Sequence, residues 1–259
     1  MSRLGLPLDQ IIEGDSIATM QGWLPESSID MILADLPYGI TENKWDSMIP
    51  LPDLWAQYNR VLKSEGVIAL TASQPFTSIL VCSNLAQFKH EWIWIKNRGS
   101  NFANTVREPM KEHESVLIFC KSSKWTYNPQ MQERNGTGSE RVKYGVKFET
   151  HSTNYCDFKT KPHQILPSLR VPSSCQKFNT EIGLHPTQKP VSLFEYLIRT
   201  YSNEGDVILD NTIGSGTTAL ACQKTGRHFI GIEKNPEYVK IAKGRTSQLR
   251  FESISELPP

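Results

Sequence analysis

The chain has 259 residues, of which 38% are hydrophobic and 21% charged, with a formal net charge of +1. That length suits one large α/β domain with a smaller inserted piece, and the composition is that of a soluble globular protein. No apolar run approaches the roughly 18 residues of a membrane span and Met1 to Gln10 lacks a signal-peptide pattern, so a cytoplasmic protein without a membrane partner is expected. The five cysteines and six histidines are dispersed and show neither paired nor metal-ligand spacing, so neither a disulfide framework nor a bound metal is expected. The charge itself is uneven. Residues 121–185 hold ten basic against five acidic side chains, which leaves the rest of the chain mildly acidic. Two readings fit this: a polyanionic partner docked at one place, or a solvated insert that happens to be Lys-rich.

In chain order, Gln10 to Glu13 reads as a short strand, and Gly14-Asp15-Ser16 turns the chain and caps a helix reaching Trp23. Ile29 to Ala34 is an apolar strand that runs into Asp35-Leu36-Pro37-Tyr38-Gly39, a sharp turn with a carboxylate and an aromatic ring at its mouth. Leu54, Tyr58, Val61 and Leu62 have helical spacing within residues 52–63, followed by a strand over 67–70 and a second helix over 75–87. His90 to Lys96 alternates two tryptophans against two isoleucines, and 115–120 is a further strand. These two strands have no helix between them, which points to an antiparallel pair at the edge of a mixed sheet, with Trp92 and Trp94 in the core.

From Lys121 to about Ile182 the periodicity fades, and Trp125, Tyr127, Tyr144, Phe148, Tyr155 and Phe158 are interleaved with the basic residues. That mixture suits an insert that contacts nucleic acid. Regular structure returns after His185-Pro186-Thr187-Gln188-Lys189-Pro190, with a helix through Tyr201 and a strand over 206–210. A Gly-rich turn, Asn211 to Thr218, then opens a helix to about Lys224, the strand 228–233 follows, and Pro236 starts the last helix before a loose tail from Glu252.

The segment from Asp206 to Glu233 is therefore a strand, glycine turn, helix and strand with an acidic residue at both strand ends. Gly214 and Gly216 let backbone N–H groups approach a ligand, and Glu233 falls about twenty residues further on, where a ribose-binding carboxylate is expected. The sequence has no Gly-Lys-Ser or Gly-Lys-Thr, which excludes a phosphate-gripping P-loop. A nucleoside cofactor is the reading.

Asp35-Leu36-Pro37-Tyr38, His185 to Pro190 and Asp210 to Thr218, in that order, resemble the β-group DNA amino-methyltransferases over roughly Ile11 to Lys243. The target motif precedes the cofactor loop, the circular permutation that this group shares. The resemblance implies a Rossmann-like, AdoMet-dependent methyltransferase fold: a mixed seven-stranded α/β sheet with helices on both faces, interrupted by an irregular recognition region. On that reading residues 1–120 form the target-amine half, 121–184 the inserted recognition region and 185–259 the AdoMet-binding half. The co-substrate implied is S-adenosyl-L-methionine, and the partner is double-stranded DNA, with a homodimer left open.

The resemblance also implies roles. Asp35 by its carboxylate and Leu36 by its backbone carbonyl would accept the two N–H groups of an exocyclic amine and orient its lone pair. Pro37 would shape the turn, and Tyr38 would stack on a base rotated out of the duplex. Asp210, Gly214 and Gly216 would line the methionine end of AdoMet, with Thr217 nearby. Glu233 would take the ribose hydroxyls and Asp15 the adenine. Lys189 would meet the cofactor carboxylate or else be a surface cation. Lys143, Lys147, Lys159 and Lys161 would contact phosphates, and the loop 97–112, with Arg98, Phe102 and Arg107, either touches the strand near the extruded base or merely connects two strands.

Two departures stand out. Leu36 replaces the usual first proline of the motif, which puts turn pre-organisation in question, and Thr212 replaces a usual phenylalanine, which puts an apolar cofactor contact in question. Asp at the first motif position favours adenine N6 over cytosine N4. The alternatives are an RNA or protein amino-methyltransferase on the same scaffold, and a catalytically silent DNA-binding module. No nuclease motif is visible, which points to a solitary enzyme or the modification half of a restriction-modification pair.

Overall fold

A computed structural model of the chain describes residues 5–39, 47–133, 169–181 and 188–255, with side chains described to residue 248. The contacts divide the chain into Met1–Asn128 with Ser174–Pro259, and a second unit, Pro129–Ser173. In the second unit β6 (Gln132–Glu133) pairs antiparallel with β7 (Leu169–Arg170). The basic positions Lys143, Lys147, Lys159 and Lys161, the aromatics from Tyr144 to Phe158, and His185-Pro186-Thr187 lie outside the described residues.

The first unit is built on one eight-stranded sheet. Its strands are β1 (Gln10–Glu13), β2 (Ile29–Asp35), β3 (Leu62–Ala72), β4 (Phe88–Ser100), β5 (Lys111–Cys120), β8 (Cys175–Lys177), β9 (Val207–Asp210) and β10 (His228–Glu233). Their order is β1-β10-β9-β2-β3-β5-β4-β8, with all neighbours parallel except β5, which is antiparallel to β3 and β4. The seven strands expected become eight because Cys175–Lys177 adds to the outer edge of β4, in register Ile93↔Cys175 to Ile95↔Lys177. Three residues are too few to show a period of two, so this strand has no local signal.

The period-two pattern of the central strands sorts their side chains onto two cores. Met31, Leu33, Val67, Ala69, Val116, Ile118 and Ile208 face one helical layer: α4 (Val191–Tyr201), α5 (Thr217–Thr225) and α6 (Pro236–Ser255). Ile32, Ala34, Ile68, Leu70, Leu117, Phe119 and Leu209 face the other: α1 (Ser16–Trp23), α2 (Leu51–Val61) and α3 (Phe76–Ser83). Each helix buries the stripe its spacing dictates. In α2, Leu54, Trp55, Tyr58 and Val61 turn inward, with Pro in the first turn and Arg60 in the last. Trp92 and Trp94 are core residues, and their indole N–H groups donate to Tyr201 Oη and to the Phe178 carbonyl.

Several boundaries differ from expectation. β3 is eleven residues rather than four, because parallel pairing with β2 extends from Val67 through Thr71 and adds Leu62 opposite Ile29. α3 stops at Ser83, capped by Asn84, and β4 runs to Ser100 while β5 begins at Lys111, so the two ends of the loop expected over 97–112 are strand. α6 continues to Ser255, past the Glu252 at which a loose tail is expected. No helix among the described residues is long and apolar enough to cross a membrane.

Candidate active site

The two motifs lie 175 positions apart in the chain, and the sheet makes them neighbours. β2 and β9 pair directly, Met31↔Ile208 and Ile32↔Leu209. From this pair the chain leaves β2 towards β3 on one side and β9 towards β10 on the other. Strand order therefore reverses between them, which opens a crevice at their carboxyl ends. A cavity of about 1240 Å³ lies there, lined by Asp35 to Tyr38 on one side and Asp210 to Ser215 on the other, with Asp15, Lys189 and Glu233.

In the target half, Asp35 ends β2 and gathers three donors. Tyr38 Oη donates to Oδ1 at 2.9 Å, the Thr71 hydroxyl also donates to Oδ1, and Lys189 Nζ lies 2.7 Å from Oδ2. The Tyr38 ring stacks on Phe76 with centroids 5.1 Å apart and planes at 27°. Lys189 Nζ lies 5.7 Å from the centroid of the same ring. Burial and the neighbouring Asp35 carboxylate hold the Tyr38 phenol well above its usual pKa, so it is a hydrogen-bond donor at neutral pH.

Lys189 is 6% exposed, which removes the surface-cation alternative. Besides Asp35 it faces Glu114 Oε2 at 3.3 Å, while Lys96 holds Glu114 Oε1. Burial works to lower the Lys189 pKa, but the Asp35 and Glu114 carboxylates outweigh it and raise the pKa well above the usual value. Burial likewise works to raise the Glu114 pKa, and Lys189 and Lys96 reverse the direction. Two carboxylates and two ammonium groups thus alternate in one partly dry row.

The glycine turn after β9 is braced. Gly214 and Gly216 have φ of +52° and +89°, and a Cβ on Gly216 would come within 3.0 Å of Ala242 Cβ in α6. Glu233 accepts from Gly214 N–H through Oε2 at 2.9 Å and from Asn235 N–H through Oε1 at 2.8 Å. Asp210 is buried; its Oδ1 accepts from Thr212 N–H at 3.0 Å and its Oδ2 from the Thr218 hydroxyl. Burial pushes its pKa up to about 7 against those two hydrogen bonds. Asp15 is the N-cap of α1 and accepts from Ile17 and Ala18 N–H. Thr217 Oγ1 donates to the Lys189 carbonyl at 3.4 Å.

All the candidate residues of the two motif loops, with Asp15, Lys189 and Glu233, therefore line one cavity except Gly216, which packs against Ala242 behind it, and two refinements follow. The Leu36 side chain is 4% exposed and belongs to the core around α1 to α3, so packing holds the turn where the usual proline ring is missing. Thr212 donates to the Asp35 carbonyl at 3.1 Å, which joins the two motif loops directly. Glu114, Lys96 and Thr71 are additions. The alternating strand 90–96 and the apolar run 116–120 end next to Lys96 and Glu114, and the antiparallel register Trp94↔Glu114 brings these charges together. Only a correct register would have found them.

A motif carboxylate and a glycine turn at the switch point of a mixed sheet define an α/β methyltransferase class of fold. A profile of the family described as DNA methylase, covering N6 and N4 methyltransferases, matches residues 29–244. The DNA adenine methyltransferase YhdJ of Escherichia coli (strain K12) is 31% identical over 99% of this chain and 88% of its own length. The crystal structure of the M1.HpyAVI–SAM complex superposes with a TM-score of 0.61 at 26% identity, covering 91% of this chain and 98% of that one. The PvuII cytosine-N4-specific DNA methyltransferase shares the fold, with a TM-score of 0.65 at 16% identity over 91% of this chain and 85% of that one. The chain belongs to the DNA methylase family.

Proposed function

We propose that the chain is an AdoMet-dependent DNA methyltransferase acting on the N6 amine of adenine in double-stranded DNA, with the base rotated out of the helix. One observation carries the reading: the Asp35 carboxylate and the Tyr38 ring stand at the end of β2, one strand from the braced glycine turn. An exocyclic amine is a poor nucleophile because its lone pair is delocalised into the ring. Asp35 and the Leu36 carbonyl accept its two N–H groups, which turns the lone pair out of conjugation. The same carboxylate stabilises the positive charge that develops on nitrogen. The nitrogen lone pair would take the methyl carbon as its bond to the sulfonium sulfur breaks, leaving the thioether S-adenosylhomocysteine, and the nitrogen would then lose one proton to solvent. Tyr38, backed by Phe76, offers a flat apolar seat that a base finds only outside the stack.

The remaining residues fit a nucleoside co-substrate. The cavity exceeds the usual size for one ligand, so a base and a co-substrate fit together. Gly214 and Gly216 remove two side chains from the turn, and Asp15 and Glu233 line the same cavity, where a purine and a ribose need acceptors. S-adenosylmethionine supplies the electrophilic methyl group when bound. Asp at the motif's first position and the relative named an adenine methyltransferase favour adenine over cytosine. Residues 121–184 serve as the recognition region. Arg98 and Lys111 line the cavity and Phe102 is exposed on the loop between them, which suits contact with the strand around the vacated base.

Single-molecule sequencing of DNA from cells expressing the chain tests base and site together, and N6-methyladenine at one sequence is the expected result. N4-methylcytosine would replace the base assignment, and methyl label found only on RNA or protein would overturn the DNA reading. Asp35→Ala should cut transfer by ~10²-fold or more. It should leave AdoMet affinity within about three-fold, measured by calorimetry, because the lost carboxylate bonds Tyr38, Thr71 and Lys189 while the bond to Thr212 of the glycine turn runs through the Asp35 backbone.

A further inference from the structure

The seat assigned to the target base is already filled. Lys189 Nζ sits 2.7 Å from Asp35 Oδ2 and 5.7 Å from the Tyr38 ring centroid. The other Asp35 oxygen accepts from Tyr38 and Thr71. An amine docking on Asp35 and a purine laid against Tyr38 therefore compete with one ammonium for both contacts.

A second seat for that ammonium lies beside the first. Glu114 Oε2 is 3.3 Å from Lys189 Nζ, buried, and accepts no hydrogen bond, while Oε1 is held by Lys96. The 3.3 Å pairing with Lys189 offsets the cost of burying this oxygen only by charge, and a well-aligned hydrogen bond from the same ammonium would add to it. A movement of an ångström or less would bring Lys189 into full contact with it.

We propose that Lys189 is a place-holder for the target base: it covers Asp35 and Tyr38 while the seat is empty, and the arriving base displaces it onto Glu114. The inference rests on the assignment of Asp35 and Tyr38 to the target amine. The exchange keeps the row of Lys96, Glu114, Lys189 and Asp35 neutral before and after, so a neutral adenine enters without burying a net charge. It also leaves Asp35 without its counter-ion at the moment that methyl transfer puts positive charge on the amine nitrogen. The carboxylate then acts on the substrate instead of on lysine. Glu114 is a positioning residue in this scheme, and Lys189 sets which partner Asp35 serves.

The test uses the full-length protein and a duplex carrying the sequence found in methylated DNA, with 2-aminopurine beside the target adenine. Its fluorescence rises when that adenine leaves the stack. Glu114→Gln, which keeps the shape and the Lys96 contact, should lower the fluorescence gain several-fold and kcat by about ten-fold, because Lys189 then has no second carboxylate. Lys189→Met, which empties the seat, should not lower the gain, and the double variant should follow Lys189→Met. AdoMet affinity without DNA should stay within about three-fold throughout. The proposal falls if Glu114→Gln extrudes the adenine as well as the parent, or if Lys189→Met weakens AdoMet ten-fold with an unchanged fluorescence gain. Should Lys189→Met fail to fold, the Glu114→Gln result alone decides. A parent protein that methylates no DNA would instead overturn the functional assignment.

Discussion

At the scale of single residues, the environment redirects side chains whose identity alone suggests something simpler. Asp210 reads as a cofactor-lining carboxylate, yet its oxygens brace Thr212 and Thr218. Burial raises its pKa to about 7 from an unfolded value of about 4. A carboxyl that binds its proton more tightly when folded contributes stability that is present at low pH. That contribution is lost as pH rises from about 4 through about 7. Asp210→Asn should remove this loss. The stability of the variant relative to the parent should therefore rise between pH 5 and pH 8 by a few kcal/mol, read from urea melts at the two values. A difference that stays flat with pH would show that Asp210 is ionised throughout.

At the scale of elements, the glycine turn and α5 form one device. Gly216 is the N-cap of α5 with φ +89°, and its α-carbon faces Ala242 of α6. Gly216→Ala therefore meets two obstacles: a left-handed backbone that costs an L-residue about 1–2 kcal/mol, and a Cβ pressed on a packed helix. AdoMet affinity should fall about ten-fold or more and the melting temperature should drop by several degrees, measured by calorimetry and thermal denaturation. The β4–β5 pair is a second device. Its register, rather than its composition, delivers Lys96 and Glu114 to the cavity wall.

On the scale of the whole molecule, the site exists only because two distant halves are tied. Tyr58 of α2 donates to Asn211 Oδ1 at 2.6 Å in the buried interior, and Thr212 donates to the Asp35 carbonyl. Each bond joins the target half to the cofactor turn. Tyr58→Phe leaves a buried amide oxygen without its donor, which should destabilise the fold by about 1–3 kcal/mol. Because the bond also fixes the turn, AdoMet affinity should weaken in parallel, and added AdoMet should recover part of the lost melting temperature. Unchanged melting would mean that the halves are held by strand pairing alone.

Much of this was legible in the chain itself, for physical reasons. Strand and helix periods are local, so β2, β9, β10, α2 and α4 can be placed from their apolar spacing. Asp35 to Tyr38 and Asn211 to Thr218 carry their chemistry within a few residues, and their order along the chain is a property of the sequence. Contacts between strands are not local. The pairing of β2 with β9, the eighth strand on β4, the packing of Leu36 and the row from Lys96 to Asp35 join residues up to 177 positions apart, and no period records such neighbours. The order of residues along the chain is enough to pick out two clusters of polar groups, one at Asp35 to Tyr38 and one at Asn211 to Thr218. Only the tertiary structure decided that the two clusters meet at one strand pair, and that a buried lysine stands between Asp35 and Glu114, because register and burial arise when the whole sheet closes.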